Sequence, residues 1–188
     1  NGKTTVTQMI AAILRTPAVR IAEITPEIRQ LADDMIVTMR ASEGVGLAAQ
    51  QIGRALAICT LEVPVDYDTD EQGARINPTW TMPKVLLNPE VVVASRKQDN
   101  HDEGCLSFPG IRGSITRPVD ITLRYQDLDG QTHEEQVRDF MARVVQHEVD
   151  HLNGVLFIDR MSAPKRLVLS KRLKHMKLET EEELGLSG

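Results

Sequence analysis

The chain has 188 residues, 41% hydrophobic and 26% charged, which is the length and balance of one globular domain and excludes a disordered or fibrous chain. About two-thirds of the unfolded surface is buried at this length, so the fold needs no staples, and the two cysteines, Cys59 and Cys105, suit a reducing compartment and form no disulfide framework. A net charge of −5 argues against wholesale nucleic-acid coating and gives no reason to expect specific DNA binding, and no apolar run is long enough to span a membrane. The chain begins at Asn1 rather than Met, which predicts a missing native N-terminus and leaves room for a removed targeting segment.

In chain order, TTVTQMIAAIL (4–14) predicts a short helix. A stronger helix is expected over 25–44: Thr25 suits the N-cap, Pro26 the first helical position, and Gly44 the stop. Ile28, Leu31, Ala32, Met35, Ile36 and Met39 fall on one face at helical spacing. ALAICTLEV (55–63) reads as a buried strand, and the polar, turn-rich stretch 64–83 as a long loop. KVLLNPEVVVASR (84–96) reads as two strand pieces around Asn88-Pro89, and 119–138 as a hairpin turning at Asp129-Gly130. Asp139 is a candidate cap for a helix that carries QHEVDHLNG to about Gly154. Beyond Pro164 a terminal helix is expected, basic first and acidic last. Helix, strands, helix, helix, without repeat or linker, predicts an α+β fold. The whole chain, 1–188, is then a single domain with antiparallel strands around the HEVDH helix and a helical tail from about 164.

His147 and His151 stand four apart, so on a helix they aim two imidazoles at one point. Glu148, beside the first, is placed to take a proton from an attacking water. The competing reading is an amphipathic helix that happens to carry these residues. The third ligand decides the class. Phe157 stands where a metzincin carries its third histidine, which closes that route. Glu179 and Glu181 to Glu183 lie in a polar terminal segment, a poor place for the buried glutamate of a thermolysin-like site. Cys105, in the loop-like stretch HDEGCLSFPG (101–110), is the better candidate, because a thiolate is a strong ligand for zinc or ferrous iron. Its alternative is a small buried hydrophobe, which is the reading for Cys59, set mid-strand among Ala57, Ile58 and Leu61.

GVGLAAQQIG (44–53), EGCLS (103–107) and HEVDH (147–151) together resemble the peptide deformylases, in the family's order, with a likeness over roughly residues 25 to 162. The resemblance implies a hydrolase that removes the formyl group from the initiator methionine of new polypeptides. It implies Cys105, His147 and His151 as ligands of one divalent ion, with ferrous iron as the physiological metal. Zinc, nickel or cobalt also suit two imidazoles and a thiolate. Glu148 is then the general base. Gln51 and the backbone N–H of Leu106 are the donors to the oxyanion, and Gln50 occupies the variable position of the pair. If the segment is extended, only one of the two glutamines faces the metal.

The resemblance also implies a substrate bound as an added strand against Val45, Gly46 and Gly104. It implies a methionine pocket lined by Phe140 and Val144. Arg143 stands where some relatives carry an aliphatic residue, and an arginine snorkelling from the rim is expected there. Glu103 and Arg117 match positions that pair beneath the site. His101 either borders the pocket or is an ordinary loop histidine. Asp150 either orients a histidine or faces solvent, and His133 and His175 carry no functional argument. The implied partner is the N-formylmethionyl nascent peptide. Lys165, Arg166, Lys171, Arg172, Lys174 and Lys177 give the tail a basic face for ribosomal RNA, or simply a solvated one. The implied location is a bacterial cytoplasm, or an organelle if a transit segment has been removed. Two other functions compete: a peptidase on the same helix motif, and a binding module with a structural metal. Cys105 and Gln51 speak against the first, and Glu148 with Gln51 against the second.

Overall fold

The computed structural model describes residues 13–183, without the side chains of Leu173 and of 176–183. The helix expected over 4–14 therefore lies almost wholly outside the described residues. Helix α1 spans Pro26–Ala41. It is followed by β1 (Gly46–Ala48), β2 (Ile58–Leu61), β3 (Lys84–Ala94), β4 (Gln98–Gly104), β5 (Arg112–Pro118), β6 (Asp120–Gln126) and β7 (Thr132–Arg138). Helix α2 spans Asp139–Leu152 and α3 spans Ala163–Glu183. The expected α+β architecture is what forms: a five-stranded antiparallel sheet in the order β1-β2-β3-β6-β7, and a separate antiparallel ribbon of β4 and β5.

Strand alternation divides the core between two helices. Ile58, Leu47 and Leu87 pack with Ala32, Met35 and Met39 of α1. Cys59, Leu61, Leu86 and Leu123 turn the other way, onto Ala142, Val145 and Val149 of α2. Helix α2 is thus buried along most of its length, which is what holds His147 and His151 in place. A third cluster joins Ile111 and Ile115 to Phe157 and Met161, with Cys105, Phe108 and Leu169 of α3 against it.

Several local expectations change. Thr25 stands at the N-cap without a side-chain bond to the helix backbone; its side chain bonds Glu27 instead. The left-handed residue that closes α1 is Glu43, with φ 54°, and not Gly44. The Glu43 N–H donates to the Arg40 carbonyl and the Gly44 N–H to Met39, the paired bonds of a Schellman ending. Gly44 lies close under Leu106: a Cβ there would come within 2.8 Å of Leu106 Cδ1 and push that side chain aside. Asp139 does not cap α2; it is the helix's first residue, at φ 52°, and Arg138 precedes it without a side-chain cap bond. The two expected pieces form one strand, Lys84–Ala94, with the register broken beside Asn88 at φ 51°. The loop 64–83 is pinned by buried Asp68, which accepts from Arg75 Nε at 2.7 Å and from Asn77 Nδ2 at 2.6 Å.

The ribbon has no counterpart among the expected elements, because QDNHDEG (98–104) has no apolar alternation. Its inward residue is Glu103, and its partner strand turns Ile115 and Arg117 inward.

Candidate metal centre and substrate cleft

The centre forms where α2, β1 and the loop after β4 meet. His147 and His151 stand one helical turn apart, with ring centroids 5.1 Å apart. Cys105 directly follows the end of β4, and its Sγ lies 3.3 Å from His151 Nε2. The sulfur and one nitrogen from each ring all lie within 4.8 Å of one another, the only such cluster among the described residues. A tetrahedral ion bonded at about 2.1–2.3 Å to nitrogen and sulfur needs ligand atoms about 3.3–3.7 Å apart, so the cluster fits such an ion with little movement.

The ring of His147 is oriented from below. Its Nδ1 lies 3.0 Å from Glu103 Oε2. A carboxylate only accepts, so Nδ1 donates and Nε2 is left for the cluster. Burial opposes a charge on His147, but hydrogen bonds to Cys105 and Glu103 and the nearby Glu148 outweigh it and raise its pKa to about 10. Burial, then the charges of His147 and Arg117, lowers His151 to about 3. In the metal-free chain His147 therefore carries a proton that an ion must displace, while His151 is already neutral. Burial favours the neutral form of Glu103, yet its bonds to Arg117 and His147 hold its pKa well below the usual carboxylate value.

Glu148 is 4% exposed, and its Oε2 has no hydrogen-bond partner among the described residues. Gly46 of β1 lies against it: a Cβ there would come within 2.9 Å of the carboxyl carbon. Burial first, partly offset by His147 and Arg117, raises the Glu148 pKa to about 7. A carboxyl poised there can both take and return a proton near neutral pH.

The glutamine pair is not extended. It sits in a short 3-10 turn, 49–52, after β1. Both side chains are buried but face different ways. The Ala48 N–H donates to Gln51 Oε1 at 2.8 Å. An N–H can only donate, so the amide's NH2 end is turned to the centre, 3.6 Å from Cys105 Sγ and 3.3 Å from Ser107 Oγ. Gln50 is 0% exposed, and its amide has no partner among the described residues.

A cleft of about 640 Å³ opens over the centre. Val45, Gly46, Gly104, Leu106, Phe140 and Val144 all line it. Strand β1 is the edge of the five-stranded sheet, so its outer side is open to an added strand. Tyr67, from the pinned loop, packs its ring at a tilt against Phe140 with centroids 5.0 Å apart. That contact joins loop and cleft across a long stretch of sequence, and nothing local announces it.

Other expectations fail or shift. Arg143 does not snorkel; it is 5% exposed and turned inward to Glu103. Its place one turn before His147, on the buried helix face, is the signal that sequence reasoning had for it. Asp150 orients no histidine and does not face solvent; Arg117 Nη1 and Arg160 Nε each donate to its Oδ2 at 2.8 Å. His101 lies away from the cleft, exposed on β4 and paired with Asp99 at 3.1 Å. His133 stacks on Tyr125 and meets Asp127 Oδ2 at 2.6 Å. Cys59 is sealed in the core at 0% exposure.

An α+β chain with a Cys/His/His cluster, a buried carboxylate beside it and an open cleft above has the make-up of a metal-dependent hydrolase. The family model described as polypeptide deformylase matches residues 3–167, further in both directions than the sequence motifs alone reach. A peptide deformylase of Opitutus terrae is 42% identical over 167 residues, covering 86% of this chain and 86% of that one. One of Nitrobacter hamburgensis is 43% identical over 166 residues, covering 88% and 91%. Among solved structures, a mutant of Arabidopsis thaliana peptide deformylase 1B superposes with a TM-score of 0.80 at 32% identity, covering 93% of this chain and 90% of that one. The Synechococcus elongatus enzyme in complex with actinonin gives 0.73 at 34% identity, covering 87% and 80%. The chain belongs to the peptide deformylase family. It is a hydrolase that removes the N-formyl group from nascent polypeptides. No helix among the described residues is long and apolar enough to cross a membrane.

Proposed function

We propose that Cys105, His147 and His151 hold the single divalent ion of this deformylase and that Glu148, Gln51 and the Leu106 backbone N–H carry the reaction. When bound, the ion polarises the formyl oxygen and eases ionisation of the attacking water. Glu148 takes the proton of that water as its oxygen adds to the formyl carbon. The oxyanion of the tetrahedral intermediate accepts from Gln51 Nε2 and from the Leu106 N–H, donors held ready before the charge forms. Glu148 then delivers the proton to the departing amine as the C–N bond breaks, releasing formate and a free N-terminus. The peptide lies as an added strand along β1 and Gly104, with its methionine side chain toward Phe140 and Val144.

The observation that carries this reading is the oxygen of buried Glu148 that has no partner among the described residues, on a side chain set against Gly46 and adjacent to the three-residue cluster. The test is release of formate from formyl-Met-Ala-Ser, prepared without oxygen and with metal content measured in the same sample. One bound ion per chain, with rapid formate release and no cleavage of unformylated Met-Ala-Ser, is expected. Cleavage of both peptides alike overturns it.

The ion is ferrous iron, which oxygen attacks together with an adjoining thiolate. Protein prepared in air is then slow and holds zinc, whereas protein reloaded with nickel or cobalt is fast. The chain works as one catalytic domain, 1–188, ending in α3, and acts in a bacterial cytoplasm or an organelle. The basic stretch of α3 docks on ribosomal RNA, so that truncating 164–188 abolishes salt-sensitive co-sedimentation with ribosomes. Equal sedimentation of both forms leaves α3 a solvated tail.

A further inference from the structure

We propose that Arg143 is a positioning residue for the metal centre, which through Glu103 fixes both the ring of His147 and the distance between His147 and Cys105. This rests on the reading of His147 and Cys105 as ligands. Glu103 Oε1 accepts from Arg117 Nε at 2.6 Å and from Arg143 Nη1 at 2.7 Å. Its Oε2 accepts from Arg117 Nη2 at 2.9 Å and meets His147 Nδ1 at 3.0 Å. Arg117 alone already grips both oxygens from the ribbon. What Arg143 adds comes from the other side, because it stands on α2 one turn before His147. Glu103 therefore bridges two successive turns of α2, and the carboxylate cannot slide along the helix without breaking one of the two contacts.

Arg143 also reaches the start of β4. Its Nη2 donates to the Asp99 carbonyl at 3.2 Å and pairs with the Asp99 carboxylate, while Nη1 donates to the Ile115 carbonyl at 3.0 Å. Strand β4 is thus tied to α2 at Asp99 and again at Glu103, two positions before Cys105. A ligand carried by a polar ribbon is set against a ligand carried by a buried helix, and Arg143 is the cross-tie between them. An aliphatic side chain at 143 keeps the Arg117 fork but loses every tie to Asp99. A lysine reaches one acceptor group but cannot span both carboxylates. Arg143 also lines the cleft, so a direct contact with substrate is the rival role. Both terminal nitrogens of its guanidinium are already engaged within the protein, which favours positioning.

The two roles separate in metal release. The zinc-loaded full chain is mixed with excess chelator, and release is followed with a metal indicator, alongside kcat and KM for formyl-Met-Ala-Ser. Arg143→Leu is expected to release zinc roughly 10–100-fold faster, the usual penalty for losing a partner behind a ligand. Its kcat should fall while KM stays within about twofold of wild type. Arg143→Lys should recover part of both losses. Asp99→Asn, at a partly exposed position, should speed release in the same direction by less, and it decides the matter if Arg143→Leu does not fold. Unchanged release in Arg143→Leu, or in Asp99→Asn where that variant decides, overturns the proposal, and a raised KM then assigns Arg143 to substrate. His147→Ala is the arm that tests the ligand reading itself. If it keeps zinc as well as wild type, the ligand assignment fails and the proposal fails with it.

Discussion

Around the five-stranded sheet, α2 presents Ala142, Val145 and Val149 to Cys59, Leu61, Leu86 and Leu123. Over the β4–β5 ribbon, the same helix presents Arg143, His147 and Asp150 to Glu103 and Arg117. The two contacts differ in what an error costs. Deleting a buried leucine leaves a cavity worth about 2–5 kcal/mol, whichever way its neighbours point. Removing one buried ion costs a similar 3–5 kcal/mol, but because a charge is left unpaired and turns elsewhere. Apolar contacts hold α2 down, whereas the ionic ones aim it. The centre lies on the line between them: the sheet side brings Gly46 and Gln51, the ribbon side Cys105, and the helix the two histidines and Glu148.

The largest expected effect breaks the reaction while leaving both contacts whole. Glu148→Ala removes no ligand and no ion pair, so metal content should stay at one ion per chain while turnover drops below a hundredth of wild type. Parallel metal analysis and formate assays check it, and retained turnover moves the proton transfer to another group. Next comes the sheet-side donor. Gln51→Leu should lower kcat about 10²–10³-fold, equivalent to about 2.7–4 kcal/mol, with little change in KM, because the oxyanion exists only after attack. Gln50→Leu should be mild in kcat, since that amide has no partner to lose among the described residues. A larger loss at Gln50 reverses the assignment of the pair.

A smaller effect appears in acid. As the proposed base, Glu148 must act in its carboxylate form, so kcat/KM should fall as pH drops through its pKa, tenfold per unit well below it. Burial raises that pKa to about 7 in the metal-free chain from an ordinary 4.5. A neighbouring cation favours the carboxylate and lowers it again, so the midpoint should lie between those two values. A rate that stays flat below pH 4.5, in protein shown to remain folded, removes Glu148 as the base.

The same division explains what the sequence could say. Apolar period is what a sequence shows best, so α1, α2, β2 and the β6–β7 hairpin are legible in it. The centre is legible too, since Cys105, His147, Glu148 and His151 are chemically distinctive at short spacing. The ribbon is not, because its inward residues are Glu103 and Arg117, which look like surface residues until their partners are known. Arg143 misleads for that reason: an arginine turns inward only when a distant carboxylate waits for it. Tyr67 against Phe140 and the left-handed Glu43 depend likewise on neighbours that no local pattern names.

The smallest expected effect compares the two cysteines. Cys105 stands among polar partners on the ribbon side, and Cys59 lies in the apolar layer between β1 and β3. Burial pushes the Cys59 thiol pKa well up, so it stays protonated and inert toward metal. Cys59→Ser exchanges a weakly polar thiol for a hydroxyl that needs a hydrogen bond in a layer that is apolar apart from nearby Glu148, a cost of about 1–3 kcal/mol where none forms. Chemical denaturation should show that loss, while metal content, kcat and KM remain those of wild type. Cys105→Ser should do the reverse, losing metal with little change in the denaturation midpoint of the metal-free chain. If Cys59→Ser loses metal while remaining folded, the apolar layer helps to aim the ligands after all, and the division of labour between sheet and ribbon does not hold.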